Sequence, residues 1–419
     1  MFYLEKLPKL KPYEWSEYCL LILISVFIPI SWDLATKGLF LLFIHTIIKQ
    51  FFQERVGNPQ ISIKGRLCLG LLSAYFLVYL ISLLYSFNIA EGIDEVLGKL
   101  PFLFIPLIFI LSDTSYLKPK HLRLIIYTFI ASISVRFFTR LTITIFKCVS
   151  DKSLSFFSIV FDEFHHTYLA MYILFALLFL YWDFLKHGDK YPQWGTKTLI
   201  AIVFTLIADL ILIQSRTGIL GLILIGLFVI IHLVLSKHRY RLALALIFSA
   251  IAGAFIISSC LPDKTHRLSE TLSELTTNNH KDERFYITKT TLLTIKEHPF
   301  YGVGAGDRID VLYPHYQDAP LSNSLRDHDF NPHNMYLDTR LAVGIVGLII
   351  LLAILLCPLL IPQKTSNKEQ FILFTILLLP VAFSGLFESI LERQMGILFL
   401  CYFYCLIFST QYIENDSSI

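Results

Sequence analysis

Charged residues are scarce in this chain. Of its 419 residues only 16% are Asp, Glu, Lys or Arg, whereas 55% are hydrophobic and the mean hydropathy is +0.64. Soluble domains carry about a quarter charged residues, so the composition excludes an ordinary soluble protein and indicates an integral membrane protein. The net charge is only +3 and no dense basic stripe is present, which argues against nucleic acid as a partner.

Signatures of disulfide and metal chemistry are also missing. The seven cysteines form no CxxC pair and no Cys/His spacing for a metal, so we interpret them as small buried hydrophobic residues. The N-terminal polar segment leads into an apolar run without a small-residue cleavage site. We therefore expect an uncleaved first helix rather than a signal peptide.

Long apolar runs, in contrast, recur along the whole chain. A bilayer core needs about 20 apolar residues per helix, and about twelve runs approach this length. They lie near residues 17–33, 35–52, 67–86, 98–112, 123–146, 165–185, 197–214, 216–235, 242–260, 337–361, 370–387 and 394–413. The run at 98–112 is short enough to be tilted or re-entrant, and Ser215-Arg216 could mark a kink. The sequence predicts an all-α polytopic membrane protein with about twelve transmembrane helices.

Lys and Arg are concentrated in alternate connections between these runs. The positive-inside rule places those connections in the cytoplasm, and with twelve spans both termini are cytoplasmic. The long connection at 261–336 then lies on the outer side. We divide the chain into transmembrane helices 1–9 over residues 1–260, a large outer loop or cap over 261–336, and transmembrane helices 10–12 over 337–419.

The outer segment is longer than a simple connection, and loops of this length are usually functional. LSETLSELTTNN and ERFYITKTTLLTIKEHP carry apolar residues at helical spacing, and the second stretch ends at Pro299. In the following FYGVGAG, Gly302, Gly304 and Gly306 permit tight turns. No strand precedes these glycines and no clear helix follows, so we reject a dinucleotide-binding site. We expect a small helical cap.

Three polar residues near the predicted outer ends of the spans are the main candidates for a site. Arg216, in IQSRTGILGLIL, lies between two apolar runs that almost no loop separates, so it would lie at the edge of the membrane. This position favours a role in the site over a role as an anchor to lipid head groups. Arg284 begins the second cap helix and alone would be a surface charge. His333, in NPHNMYLDTR, directly precedes a membrane helix, where a neutral imidazole can accept a proton near pH 7.

Other polar residues admit both structural and functional interpretations. Arg136 and Arg140 are one helical turn apart within a span and either line a cavity or anchor the helix. His166 is expected at the outer mouth of the sixth span. Glu388 and Glu392 are expected one helical turn apart on a shared face, where a salt-bridge network is the simpler interpretation.

Together these motifs resemble the O-antigen ligase family of bacterial envelope glycosyltransferases. The resemblance rests on SRTG at a short outer break, an Arg-Phe pair in the outer loop, HPFYGVGAG, and PHNMYLDTRLAVGIVGLIILL. It covers about Ile211 to Met395, whereas the N-terminal spans are similar in hydropathy alone. The family implies a GT-C-like glycosyltransferase fold, and it also contains O-antigen polymerases and protein O-oligosaccharyltransferases.

The resemblance implies a reaction and its residues. Family members move a glycan from an undecaprenyl diphosphate carrier to an acceptor hydroxyl on the periplasmic face of the bacterial inner membrane, and for ligases the acceptor is a sugar of the lipid A core. The family's SRTG arginine corresponds to Arg216, its loop arginine to Arg284 and its essential histidine to His333. We expect the arginines to bind the diphosphate. His333 would be the general base of an inverting displacement.

Supporting roles follow for neighbouring residues. We expect Asn334 and Asp338 to help position His333, and Tyr336 to stack on a sugar or lie at the membrane interface. The expected partners are the lipid-linked donor, the lipid A–core acceptor and membrane lipids. The acids of DRID (307–310) and RDHDF (326–330) are unfavoured as a cation site, so we expect a metal-independent reaction without a cofactor.

Three alternatives stay open. A polymerase would use the same donor and join lipid-linked repeats; the single dominant outer loop and the PHN-x-YL motif favour a ligase. A transporter for lipid-linked glycans would carry charges along a pathway at the membrane midplane. Arg136 and Arg140 are the one feature that favours this alternative. A receptor or scaffold would not need Arg216 at a span break.

Overall fold

The chain is helical throughout the part that the structure describes. The computed structural model describes residues 10–52, 61–150, 165–188, 191–213, 215–235, 283–317, 330–360 and 368–410, and these ranges contain no strand. The helices are α1 (Pro12–Phe27), α2 (Trp32–Phe52), α3 (Ile63–Ser82), α4 (Ile89–Gly98), α5 (Pro101–Leu111), α6 (Pro119–Ser150), α7 (His166–His187), α8 (Gln193–Leu212), α9 (Arg216–Leu235), α10 (Glu283–Glu297), α11 (Arg308–Gln317), α12 (Met335–Leu360), α13 (Lys368–Ser384) and α14 (Gln394–Ser409).

Seven of the helices in these ranges are long and apolar enough to cross a membrane, namely α2, α3, α6, α7, α8, α9 and α12. The shorter helices α1, α5, α13 and α14 also coincide with predicted apolar runs. The run at 242–260 lies outside the described residues. The prediction of an all-α polytopic membrane protein is confirmed, and the short run at 98–112 corresponds to the 11-residue helix α5.

Helices α7 and α14 form the centre of the bundle. Nearly every side chain of α14 is buried, and 83% of the apolar window of α7 is buried. A helix that is hydrophobic on all sides is stable in such a position. In contrast, only 17% of the corresponding window of α9 is buried, so α9 lies at the periphery.

The SRTG motif brings the start of α9 close to α7. The side chain of Ser215 caps the helix by accepting a hydrogen bond from the backbone N–H of Gly218 at 3.1 Å. A Cβ on Gly218 would lie only 2.7 Å from the Cβ of Ala170. The break at Ser215-Arg216 therefore separates two helices, and its glycine lets α9 approach α7 one turn below His166.

The Gly-rich stretch after Pro299 pairs with a break in α12. Helix α12 has non-helical backbone at Val343 and Gly344. Around this break Val303 N–H donates to Leu341 O at 2.8 Å, and Ile345 N–H donates to Phe300 O at 3.0 Å. Backbone groups freed at membrane depth need such protein partners. The cap segment thus replaces the hydrogen bonds that α12 loses.

The described part of the cap is helical, as predicted. Helix α10 ends at Glu297, directly before His298-Pro299, and α11 follows the glycines. A small apolar core of Ile287, Val303, Leu312, Tyr316 and Leu341 joins both cap helices to α12. The predicted helix in LSETLSELTTNN lies outside the described residues.

Gly344→Ala is expected to destabilise the protein. A Cβ at Gly344 would lie 2.0 Å from the carbonyl oxygen of Phe300. Its φ of +68° and ψ of −161° lie in a region that is open essentially to glycine, which adds a cost of about 1–3 kcal/mol for a residue with a side chain. The measurement is the midpoint of thermal unfolding in detergent.

Gly226→Ala is the matched control. Gly226 lies within α9 and nothing occupies the space around its Cβ position. Alanine is favoured over glycine inside a helix by about 0.5–1 kcal/mol, so this midpoint should stay or rise. An unchanged midpoint for Gly344→Ala would contradict the close pairing of the cap with α12.

Candidate active site

His333 has an unusual backbone conformation directly before α12. Its φ of +47° is the only positive φ of a non-glycine residue in the described ranges. Its N–H donates to Asn331 Oδ1 at 2.9 Å. The side chain of Asn334 accepts from the N–H groups of Tyr336 and Leu337, both at 3.0 Å, and so caps α12. Strained backbone of this kind persists where the surroundings determine it and is frequent at functional sites.

The imidazole of His333 is paired with a buried carboxylate. His333 Nδ1 lies 3.2 Å from Glu388 Oε1, and the other oxygen of Glu388 lies 3.8 Å from His165 Nε2. Burial alone would raise the pKa of Glu388, but the hydrogen bond and charge of His333 outweigh burial and hold this pKa below its usual value. Burial also lowers the pKa of His165 to about 4, so His165 is neutral near pH 7.

This pairing fixes which nitrogen of His333 is available. An ionised carboxylate can only accept hydrogen bonds, so the Nδ1 of His333 carries the proton toward Glu388. The lone pair of Nε2 is then free to accept a proton from another molecule. The side chain of His333 remains 25% exposed, which leaves it open to a substrate.

The two predicted arginines lie at helix starts on the same end of the bundle. Arg216 is exposed at the first position of α9, and Arg284 is exposed near the start of α10. Arg284 and Glu388 lie close enough to His166 to interact with it electrostatically. The ring of His166 stacks on that of His165, with 4.8 Å between the ring centroids. Helix N-termini favour anions through their dipoles and free N–H groups. Each of these two helix starts can therefore bind an anionic group.

A buried ion cluster lies beside this site. Arg308, at the start of α11, is 3% exposed; its Nη1 lies 2.5 Å from Asp338 Oδ1, and its Nη2 contacts Glu95 of α4. Glu95 also pairs with the buried Lys99 at 3.1 Å. Burial, followed by the negative charge of Asp338, raises the pKa of the nearby Glu392 to about 7. The cluster joins the cap, α12 and α4.

Residues 200–352 match the family model described as O-Antigen ligase. Over this range the chain is similar to the O-antigen ligase family. The matched range includes Arg216, Arg284 and His333, and this family implies a membrane glycosyltransferase in general terms. No curated protein matches the chain.

Three residues near His333 have contacts that differ from their expected roles. Asp338 does not orient His333, because its carboxylate is buried against Arg308. Asn334 acts on the helix end, and its amide donates to Leu386 O at 3.0 Å rather than to the imidazole. Tyr336 is directed into the bundle, where its hydroxyl donates to Ala382 O at 2.9 Å.

The expected shared helical face of Glu388 and Glu392 is also wrong. Residues 385–393 form turns between α13 and α14, because the chain reverses direction there. The two carboxylates consequently reach different partners. Glu388 contacts His333, whereas Glu392 accepts a hydrogen bond from Asn331 Nδ2.

Sequence reasoning missed Asn331, Arg308 and Glu95. The Asn-Pro-His order at Asn331 is a turn signal that could have found the first. Arg308 lies within DRID, whose neighbouring opposite charges are typical of a solvent-exposed loop and give no sign of burial. The first acid of that motif, Asp307, accepts backbone N–H groups of Phe87 and Asn88 at 2.8 and 2.7 Å. No group of three or more His, Cys, Asp or Glu side chains in the described ranges could hold a metal.

Arg136 and Arg140 lie on α6 and line a small pocket together with Asp209 of α8. The one-turn spacing expected from the sequence is therefore present. Asp209 is buried beside these two arginines. The sequence assigns neither arginine a role in the reaction.

Arg308→Met is expected to lower stability strongly. It leaves the carboxylates of Asp338 and Glu95 buried without their main partner, and breaking a buried pair in this way costs about 3–5 kcal/mol. Thermal unfolding in detergent measures the effect. Lys37→Met is the control, since Lys37 pairs with Asp33 at 2.6 Å on an exposed surface, where pairs contribute about 0–1 kcal/mol. Equal midpoints in the two variants would show that the cluster does not stabilise the fold.

Proposed function

We propose that this protein is an O-antigen ligase of the bacterial inner membrane. It transfers an undecaprenyl-diphosphate-linked glycan to a sugar hydroxyl of lipid A–core on the periplasmic face. The observation that carries this proposal is the pairing of His333 with the ionised Glu388, at the end of the bundle where α9 and α10 start with Arg216 and close to Arg284. The family match over residues 200–352 supports the reaction class.

Arg216 and Arg284 bind the diphosphate. Negative charge grows on the diphosphate oxygens as the bond to the anomeric carbon breaks. The planar, always-charged guanidinium group offers several donors to phosphate oxygens, and the N-terminus of α9 adds its own N–H groups. Stabilising the developing charge in this way lowers the barrier to departure of the leaving group.

His333 activates the acceptor. Its Nε2 takes the proton of the acceptor hydroxyl while that oxygen attacks the anomeric carbon. The carbon–oxygen bond to the diphosphate breaks in the same displacement, and undecaprenyl diphosphate leaves with both electrons. Glu388 holds the imidazole by Nδ1 and stabilises the imidazolium that forms, as carboxylates do in catalytic triads. One displacement inverts the anomeric configuration.

His333→Ala is expected to abolish transfer while leaving membrane insertion intact, because only the base is removed. The measurement is a mass-spectrometric comparison of envelope glycolipids from cells that lack the gene and carry either wild type or His333→Ala. With the variant, long glycan should accumulate on the carrier lipid while lipid A–core stays uncapped. Wild type should restore capping.

Two outcomes would contradict this assignment in different ways. Capping restored by His333→Ala would remove His333 from the mechanism. If single repeats are still attached to lipid A–core and only chain length is lost in the deletion strain, the protein is a polymerase with the same donor chemistry.

Arg216→Lys is expected to fail as well. A lysine keeps the charge but not the planar fork, and loss of one such stabilising group lowers kcat by about 10²–10³-fold. The measurement is transfer by the purified variant with lipid-linked glycan and lipid A–core. Arg66→Lys is the matched control, because Arg66 is exposed near the start of α3, at the opposite end of the bundle. Full activity of Arg216→Lys would exclude Arg216 from diphosphate binding.

A further inference from the structure

The strained backbone of His333 is held by one side chain that the catalytic roles above do not use. Asn331 accepts the His333 N–H at 2.9 Å through its Oδ1. The left-handed conformation costs a residue with a side chain about 1–2 kcal/mol, so this hydrogen bond opposes relaxation of the loop. The orientation of the His333 imidazole therefore depends on the position of the Asn331 side chain.

Asn331 is itself fixed by a carboxylate from another part of the fold. Its Nδ2 donates to Glu392 Oε2, in the turn between α13 and α14. The same turn carries Glu388, which accepts from the imidazole. One turn thus holds His333 at two points: at the ring through Glu388, and at the backbone through Glu392 and Asn331.

Glu392 connects these contacts to the buried ion cluster. Its other carboxylate oxygen lies 3.8 Å from Nη2 of Arg308, whose guanidinium also binds Asp338 and Glu95. Arg308 belongs to the cap, whereas Asp338 belongs to the first turn of the helix that His333 precedes. The position of the cap is therefore transmitted to the loop through side-chain contacts that are largely buried.

We propose that Asn331 and Glu392 are positioning residues for His333, and that through them the ion cluster of the cap holds the base in its reactive orientation. The proposal rests on the proposed function, since it assigns these residues to the activity of the same base. Neither residue needs to touch the donor or the acceptor. Their loss should misplace the base without weakening diphosphate binding.

The test measures kcat and KM of the purified protein with undecaprenyl-diphosphate-linked glycan and lipid A–core. Asn331→Ala and Glu392→Ala are each expected to lower kcat by about 10²-fold, as small misplacements of catalytic groups do, with the KM for the donor unchanged. Because both residues act through one chain of contacts, the double variant should be no slower than either single variant. Glu392→Gln keeps an acceptor oxygen for Asn331 and should retain most of the wild-type kcat.

Gln370→Ala is the matched control, since its amide donates to Ile407 O at 3.3 Å at the other end of the bundle; it should leave kcat unchanged. Wild-type kcat in Asn331→Ala, or fold-losses that multiply in the double variant, would overturn the positioning role. A purely structural role would instead lower thermal stability and raise the donor KM, without rescue by Glu392→Gln.

The failure of the proposed function would look different. In the same assay, an active His333→Ala would overturn the function itself. An inactive His333→Ala together with a fully active Asn331→Ala would overturn only the positioning proposal and leave His333 as the base.

Discussion

The buried charge of Arg308 is the constraint on which the arrangement of this protein depends. A guanidinium that is 3% exposed is stable only beside carboxylates, and its partners come from two other helices, α12 through Asp338 and α4 through Glu95. Satisfying this one charge sets the position of the cap on the bundle. The same contacts bring the turn with Glu392 next to the loop that carries His333.

The site arises where regular helices stop. Helix α12 is broken at Gly344, and the cap supplies the hydrogen bonds that the break removes. Its first part can therefore begin beside α13, where Met335 N–H donates to Gly385 O at 2.8 Å. This placement brings His333 within hydrogen-bond distance of Glu388. The proposed chemistry separates two tasks: exposed arginines at helix starts attract the diphosphate, while a histidine held by a buried carboxylate accepts the proton.

Hydropathy and local motifs predicted much of the fold, because membrane helices are specified by contiguous sequence. The apolar runs, the helix that ends before Pro299 and the helix start in SRTG each depend on neighbouring residues. The contacts of the site do not. Arg308 and Glu95 are more than two hundred residues apart, and a charge in a loop gives no sign that it will be buried. Glu388 was predicted as a site residue. Its contact with His333 was not, because that contact depends on a reversal of the chain where the sequence suggested a continuous helix.

The reaction proposed for this protein is a single displacement in which His333 deprotonates the acceptor. The decisive measurement is the anomeric configuration of the linkage that the purified protein forms, determined by NMR and compared with that of the lipid-linked donor. Inversion is expected, because the acceptor oxygen attacks opposite the departing diphosphate. Retention would require a second displacement through a covalent intermediate and would contradict the role of His333 as the base of a direct transfer.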